Sequence, residues 1–275
     1  MLTIYKIEDL KAAIPAGVEI GFVPTMGALH EGHASLIARS VSENKFTIVS
    51  TFVNPTQFAP GEDFESYPRD EHHDRTICEE AGADIMFFPS SEEMYPEGFN
   101  TYVNAYGVSE VMEGVKRPTH FRGVTTVLAK LFNLTCAKRV YMGAKDAQQV
   151  SVVEQMVRDL NFDLKIVRCP IIREASGLAK SSRNKYLNET EKSSALVLIG
   201  SLELAKSLIE SGVTSVAEIR AEMTKFIERE PLARIDSIDF VDFQTLQEVE
   251  TVEREVLIPI AVYIGKTRLI DNIVI

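Results

Sequence analysis

The chain of 275 residues contains only three cysteines, Cys78, Cys136 and Cys169. An odd, widely spaced set supports neither a disulfide framework nor a C-x-x-C metal site, and a reducing cytoplasm is the expected setting. Also missing is any run approaching the roughly 20 apolar residues that span a bilayer, so no membrane association is expected. The opening residues MLTIYKIEDLKAA carry no basic stretch followed by an apolar core, and no secretory leader is expected there. Basic charge is in short supply: 29 lysines and arginines against 40 acidic residues leave a formal net charge of −11. That balance disfavours broad nucleic-acid binding, which needs a basic face. A small anionic substrate stays open. No internal repeat and no low-complexity stretch interrupts the chain, whose length suits one large domain or two smaller ones.

What is present is an alternation of strand-like and helix-like segments. Residues 19–23 read as a short apolar strand stopped by Pro24, and residues 33–44 as a helix with Leu36, Ile37, Ser40 and Val41 on one face. Residues 46–53 (FTIVSTFV) form a nearly continuous β-branched run, as a strand buried on both faces should. A helix over 71–81 ending at Gly82 precedes a strand over 85–88. A helix over 123–134, a strand over 139–142, a helix over 146–160 and a strand over 163–167 follow. This pattern predicts an α/β fold with a mostly parallel sheet, helices on both faces, and ligand binding at the carboxyl ends of the strands. Beyond about residue 187 the pattern changes. Two helices (189–211 and 215–229) precede strands over 235–243, 256–264 and 268–275, which predicts a smaller α+β unit. The loop 175–184, with Gly177 and three serines, is the expected hinge.

The chemistry-bearing residues follow the predicted strands. GFVPTMGALHEGHASL (residues 21–36) joins strand, glycine turn and helix start. Backbone N–H groups and the helix dipole there would face outward toward a phosphate, with His30 and His33 adding donors. A zinc reading lacks a third ligand and the i, i+4 spacing of H-E-x-x-H. The plainer alternative is a histidine that caps the helix. In FVNPTQF (52–58), Asn54 before Pro55 fits an ordinary turn, whereas Gln57 offers a carboxamide to a hydroxyl or carboxylate. Glu62, Asp63 and Glu65 read as a solvated loop. KRPTHFRG (116–123) is either a basic surface loop or an anion-facing one. In YMGAKDAQQV (141–150), Lys145 suits a phosphate and Asp146 either caps a helix or orients a hydroxyl, with Gln149 one turn on. GLAKSSRN (177–184) offers Lys180, Ser181, Ser182 and Arg183 as hydroxyls and cations. Paired with an H-x-G-H turn, such a loop suits splitting ATP between its α- and β-phosphates.

MGALHEGH, FVNPTQF, YPRD, HFRGV, GAKDAQQ and GLAKSSRN, in this order and spacing, resemble the pantothenate synthetase family, the pantoate–β-alanine ligases. The resemblance spans essentially the whole chain. It implies a nucleotidylyltransferase with a Rossmann-like nucleotide- and pantoate-binding domain over 1–175 and a lid over 176–275, with a hinge and KMSKS-like loop about 175–187. The implied reaction takes ATP, (R)-pantoate and β-alanine, with Mg²⁺, through a pantoyl adenylate to pantothenate, AMP and pyrophosphate. Cytoplasmic homodimers are usual for the family. By position, Met26, Gly27, Ala28, Leu29, His30, Glu31, Gly32 and His33 would hold ATP, with His33 the catalytic histidine. Gly143, Ala144, Lys145 and Asp146 would also bind ATP, as would Ile172 through its backbone. Lys180, Ser181, Ser182 and Arg183 would close over the phosphates. Gln57 would touch both pantoate and β-alanine, and Gln149 pantoate.

Three departures stand out. Lys180 replaces a common Met or Leu, Thr119 replaces a glycine before His120, and His73 replaces an acidic neighbour of Asp74. Asp74 is the best match to residues linked to metal in some members, and no metal ligand is assigned. Rival readings are a nucleotidylyltransferase acting on a phosphorylated small molecule, which would form no AMP, and a non-catalytic nucleotide- or RNA-binding relative.

Overall fold

The computed structural model describes residues 1–59, 61–62 and 64–275, and Asp63 lies outside the described residues. The chain divides into two compact units, Met1–Pro170 and Ile171–Ile275, where a boundary near residue 175 was expected.

The larger unit is built from β1 (Leu2–Ile4), α1 (Ile7–Ala13), β2 (Ile20–Thr25), α2 (Glu31–Glu43), β3 (Phe46–Thr51), α3 (Glu71–Glu80), β4 (Ile85–Phe87), α4 (Ser91–Met94), α5 (Glu113–Lys116), α6 (His120–Thr135), β5 (Arg139–Gly143), α7 (Ala147–Asp159) and β6 (Lys165–Cys169). All six strands are parallel, in the order β1-β4-β3-β2-β5-β6. From β2 onward this is a Rossmann-type order, with β1 added at the edge. One face carries Val23, Val49, Met86 and Tyr141 against Leu36 and Ile37 of α2 and Cys78 of α3. On the other face α6 buries most of its length, with Phe132 edge-on to Phe22 at 6.5 Å.

The strand order reverses at β2, which sends the chain outward through β3 and β4 before β5 returns on its far side. A crevice is expected at this switch point, and Pro24 supplies a local cause. The Ile20 carbonyl accepts from Lys138 N on the β5 side and the Thr25 carbonyl from Phe52 N on the β3 side. Backbone groups alternate along a strand, so Pro24 turns its missing N–H toward β5. Pairing of β2 with β5 covers only Gly21↔Arg139 and Phe22↔Val140, while β2 stays paired with β3 as far as Thr25↔Thr51. Pro24 therefore does not stop the strand, contrary to the sequence expectation. It ends the ladder on one side.

The smaller unit begins with a hairpin, Arg173 bridging Ala179. There follow α8 (Glu189–Ser194), α9 (Leu196–Glu210), α10 (Val216–Ile227), β7 (Ala233–Ile238), β8 (Val241–Asp242), β9 (Val256–Ile264) and β10 (Thr267–Val274). The strands form an antiparallel sheet, β10-β9-β7 with β8 on β9. Leu198, Leu202, Ile219 and Met223 of the helices bury against Phe240, Ile258 and Val262. The single helix expected over 189–211 is two, meeting at Ala195 just after Ser193 and Ser194.

Candidate active site

The turn after β2 is held from below. Gly27 has φ +85° and Ala28 φ +51°, a left-handed conformation that costs a side-chain-bearing residue energy unless its surroundings enforce it. Asp74, buried on α3, does so: Oδ2 accepts from Ala28 N at 3.0 Å and Oδ1 from Leu29 N at 2.7 Å. His73 adds a contact from Nε2 to the Leu29 carbonyl at 3.2 Å. Gly27 N donates to Thr25 Oγ1. Burial pushes the Asp74 carboxyl upward, opposed by its two amide donors.

These bonds correct one sequence expectation. The amides of Gly27, Ala28 and Leu29 point into the protein, because Thr25 and Asp74 accept from them. Side chains also offer donors here, and the tautomers of His30 and His33 follow from the cap. His30, the N-cap of α2, accepts from Gly32 N at Nδ1 (3.1 Å), and His33 accepts from His30 N at Nδ1 (3.3 Å). A neutral imidazole that accepts at Nδ1 carries its proton on Nε2. The capping role and the donor role thus coexist in the same rings. The two rings lie 4.2 Å apart between centroids. Burial, reinforced by neighbouring His30 and Lys145, pushes His33 down to about 3 and keeps it neutral at pH 7.

Residues 55–57 form a short 3-10 turn after β3, and Gln57 within it is buried. Asn54, expected to be an ordinary turn residue, is the fully buried hub of this segment. Its Oδ1 accepts from Thr56 N, Thr56 Oγ1 and Tyr95 Oη, and its Nδ2 donates to the Gly123 carbonyl and to Gln57 Oε1. With Oε1 engaged, Gln57 presents Nε2 as a donor, with Met26 Sδ 3.8 Å away. The Gln57 carbonyl is held by Arg117 at 3.2 Å and by His120 Nδ1 at 2.9 Å. Arg117 also grips Glu62 through both Nε and Nη2, which gives that loop residue a partner. Arg122 lies over the Tyr102 ring. Both arginines of KRPTHFRG are therefore engaged by the protein. Thr119 has φ −99°, a conformation open to any residue.

After β5, Gly143, Ala144, Lys145 and Asp146 lead into α7, where Asp146 makes no side-chain capping bond. Lys145 lies near enough to His33, and Asp146 to His120, to act on their charge. The loops after β2, β3 and β5 and the start of α6 thus meet within the larger unit, with Gln149 partly exposed on the first turn of α7. Gln148, its buried neighbour, braces residues 108–113 through both ends of its amide. Among the described residues no group of three or more His, Cys, Asp or Glu could hold a metal.

The remaining candidates belong to the smaller unit. The Ile172 carbonyl accepts from Lys180 N at 2.8 Å, and Gly177 turns the hairpin at φ +98°. Arg173 ties that hairpin to β10 through a paired contact with buried Asp271 (2.6 and 3.0 Å) and to the Gly177 carbonyl. Ser181 caps the short helix that contains Ser182 and Arg183.

Sequence carried little signal for Asn54, Tyr95 or the His73–Asp74 clasp, because each acts through contacts made by folding. A family model of pantoate-beta-alanine ligases matches residues 2–274. The pantothenate synthetase of Caldicellulosiruptor bescii is 50% identical over 279 residues, covering 100% of this chain and 99% of that protein. That of Clostridium acetobutylicum is 51% identical over 276 residues, covering 99% and 98%. The crystal structure of pantothenate synthetase from Thermus thermophilus superposes with a TM-score of 0.95 at 43% identity, covering 99% of both chains. The pantoate-beta-alanine ligase of Francisella tularensis, complexed with beta-gamma ATP and beta-alanine, gives 0.80 at 35% identity, covering 99% and 97%.

Proposed function

This chain belongs to the pantoate–β-alanine ligase family and joins pantoate to β-alanine, and on that premise we propose how its residues divide the work. ATP is the co-substrate, a reading supported by the Francisella complex. A pantoate carboxylate oxygen attacks the α-phosphorus in line, pyrophosphate leaves, and pantoyl adenylate forms. The β-alanine amine then attacks the acyl carbon and AMP departs. No protein nucleophile is needed. The barrier falls through positioning and through donors aimed at developing charge.

The observation that carries this reading is the paired cap of α2. His30 and His33 each accept a backbone N–H at Nδ1, which puts the proton of each neutral ring on Nε2. Two neutral donors side by side suit phosphate oxygens, and in this role His33 is the catalytic histidine. Met26 to Gly32 shape the nucleotide turn around them, and Gly143 to Asp146 bring Lys145 as a point charge. Gln57 donates from Nε2 to the pantoate and β-alanine carboxylates, and Gln149 binds pantoate. In the smaller unit, Ile172 is assigned to the adenine through its backbone, and Lys180, Ser181, Ser182 and Arg183 to the phosphates. Mg²⁺ carried by the nucleotide would screen the phosphate charge and would ask for one or two protein carboxylates at most. The donor set fits this, since Asp74 is occupied by amides and, among the described residues, no acidic cage stands beside it. The protein works as a cytoplasmic homodimer.

The test is product formation with ATP, pantoate and β-alanine, each omitted in turn. AMP and pantothenate should appear in equal amounts only when all three are present. Pyrophosphate release to completion without β-alanine, with no AMP, would instead indicate nucleotidyl transfer to a different acceptor.

A further inference from the structure

Three histidines of the larger unit are locked in opposite tautomers. His30 and His33 accept backbone N–H groups at Nδ1, so each presents a donor at Nε2. His120 is the reverse. Its Nδ1 lies 2.9 Å from the Gln57 carbonyl, which can only accept, so Nδ1 carries the proton and Nε2 presents a lone pair. Among the described residues nothing bonds that Nε2, and the ring keeps part of its surface open. His120 opens α6 beside the residue whose carboxamide is assigned to the substrates, and Asp146 is close enough to act on its charge.

We propose that His120 accepts the proton of the β-alanine ammonium group at Nε2, which frees the amine to attack the acyl adenylate. This rests on the adenylate course above. The ammonium N–H bond breaks and its proton passes to the imidazole lone pair. The freed amine pair forms the C–N bond, and the acyl C–O bond breaks with its electrons leaving on AMP. The second proton on nitrogen goes to solvent. The surroundings favour an uncharged ring that can take up charge during the reaction. Burial and the neighbouring Arg117 hold His120 below its ordinary value, while Glu62 and Asp146 favour the imidazolium. Arg117 is itself paired with Glu62, and the Phe121 ring makes an edge contact with that of His120 at 5.0 Å between centroids.

The size of the effect follows from acid–base chemistry. An alkyl amine with a pKa of about 10.4 is only about 0.1% unprotonated near pH 7.4. Losing the base should therefore slow ligation by about 10²–10³-fold. His120→Asn is the informative variant, because its amide nitrogen can replace Nδ1 as the donor to the Gln57 carbonyl while offering no basic lone pair.

Pantoate-dependent ATP–pyrophosphate exchange should stay within a few-fold of the parent, which also reports an intact fold. Pantothenate formation should fall about 10²–10³-fold at neutral pH and recover about tenfold per pH unit toward pH 10. Hydroxylamine, already unprotonated at neutral pH, should trap the adenylate as hydroxamate at the parental rate. Three results would overturn the inference: ligation within a few-fold of the parent, exchange and ligation falling together, or a pH profile parallel to the parent's. Absence of exchange in the parent protein would overturn the adenylate course itself, and the inference with it.

Discussion

Replacing Gly123 by alanine separates local propensity from packing. A Cβ at Gly123 would lie 2.3 Å from the Thr56 carbonyl oxygen, 2.6 Å from its carbon and 2.8 Å from Gln57 N. A close C···O contact is about 3.3–3.6 Å, so α6 and the 55–57 turn would have to part by about 1 Å. Helix propensity favours alanine over glycine by about 1 kcal/mol. Overpacking costs about 1–3 kcal/mol, and the parting also strains the bond from Asn54 Nδ2 to the Gly123 carbonyl, 3.1 Å long. Packing wins, with a net loss of about 1–2 kcal/mol. The catalytic consequence is larger, since a shift of about 1 Å in a substrate-positioning group costs about 10²-fold. Urea unfolding and steady-state kcat/KM for pantoate read the two effects separately. A variant as stable as the parent with unchanged kcat/KM would refute the view that this helix contact sets the position of Gln57.

Three further outcomes follow from the same geometry. His33→Ala should lower the rate of pantoate-dependent ATP–pyrophosphate exchange by about 10²–10³-fold with the fold intact by circular dichroism. Asp74→Asn leaves either Ala28 N or Leu29 N facing an NH₂ group and removes a charge-assisted bond worth about 1.5–3 kcal/mol. Its exchange rate should fall while the KM for β-alanine holds, and an equal loss in both would argue for general unfolding. For pH, His33 titrates near 3 when folded and near 6.5 as an unperturbed histidine, so the unfolded chain binds the extra proton between those values. Stability from this group is therefore full above pH 6.5 and is lost as pH falls toward 3, at up to about 1.4 kcal/mol per pH unit. Denaturation midpoints of the parent and His33→Ala across about pH 4–7 measure it: the variant should show the shallower slope.

The parallel sheet was legible because β3 is a β-branched run and β5 a short, mostly apolar one, with a periodic helix after each, a pattern that depends on local sequence alone. The edge strand β1 and the short helices α4 and α5 were not anticipated, since three or four residues carry too little periodicity. Among the candidate site residues, sequence singled out His30, His33 and Gln57 but misjudged the direction of the turn's amides. That direction depends on Asp74, more than 40 positions away in the chain, and no local pattern reports it. Pro24 shows the same limit. As a residue it signals a break, but only the identity of the neighbouring strand decides which ladder ends. The tautomer of His120 likewise depends on a carbonyl contributed by a different loop.

At the centre of the proposed chemistry, pantoate is activated as an acyl adenylate in the crevice beside β2. Isotope exchange between pyrophosphate and ATP, measured with pantoate present and β-alanine absent, tests this most directly. Exchange should require pantoate and collapse in His33→Ala. Exchange that proceeds without pantoate, or none at all from a protein that still forms pantothenate, would contradict it.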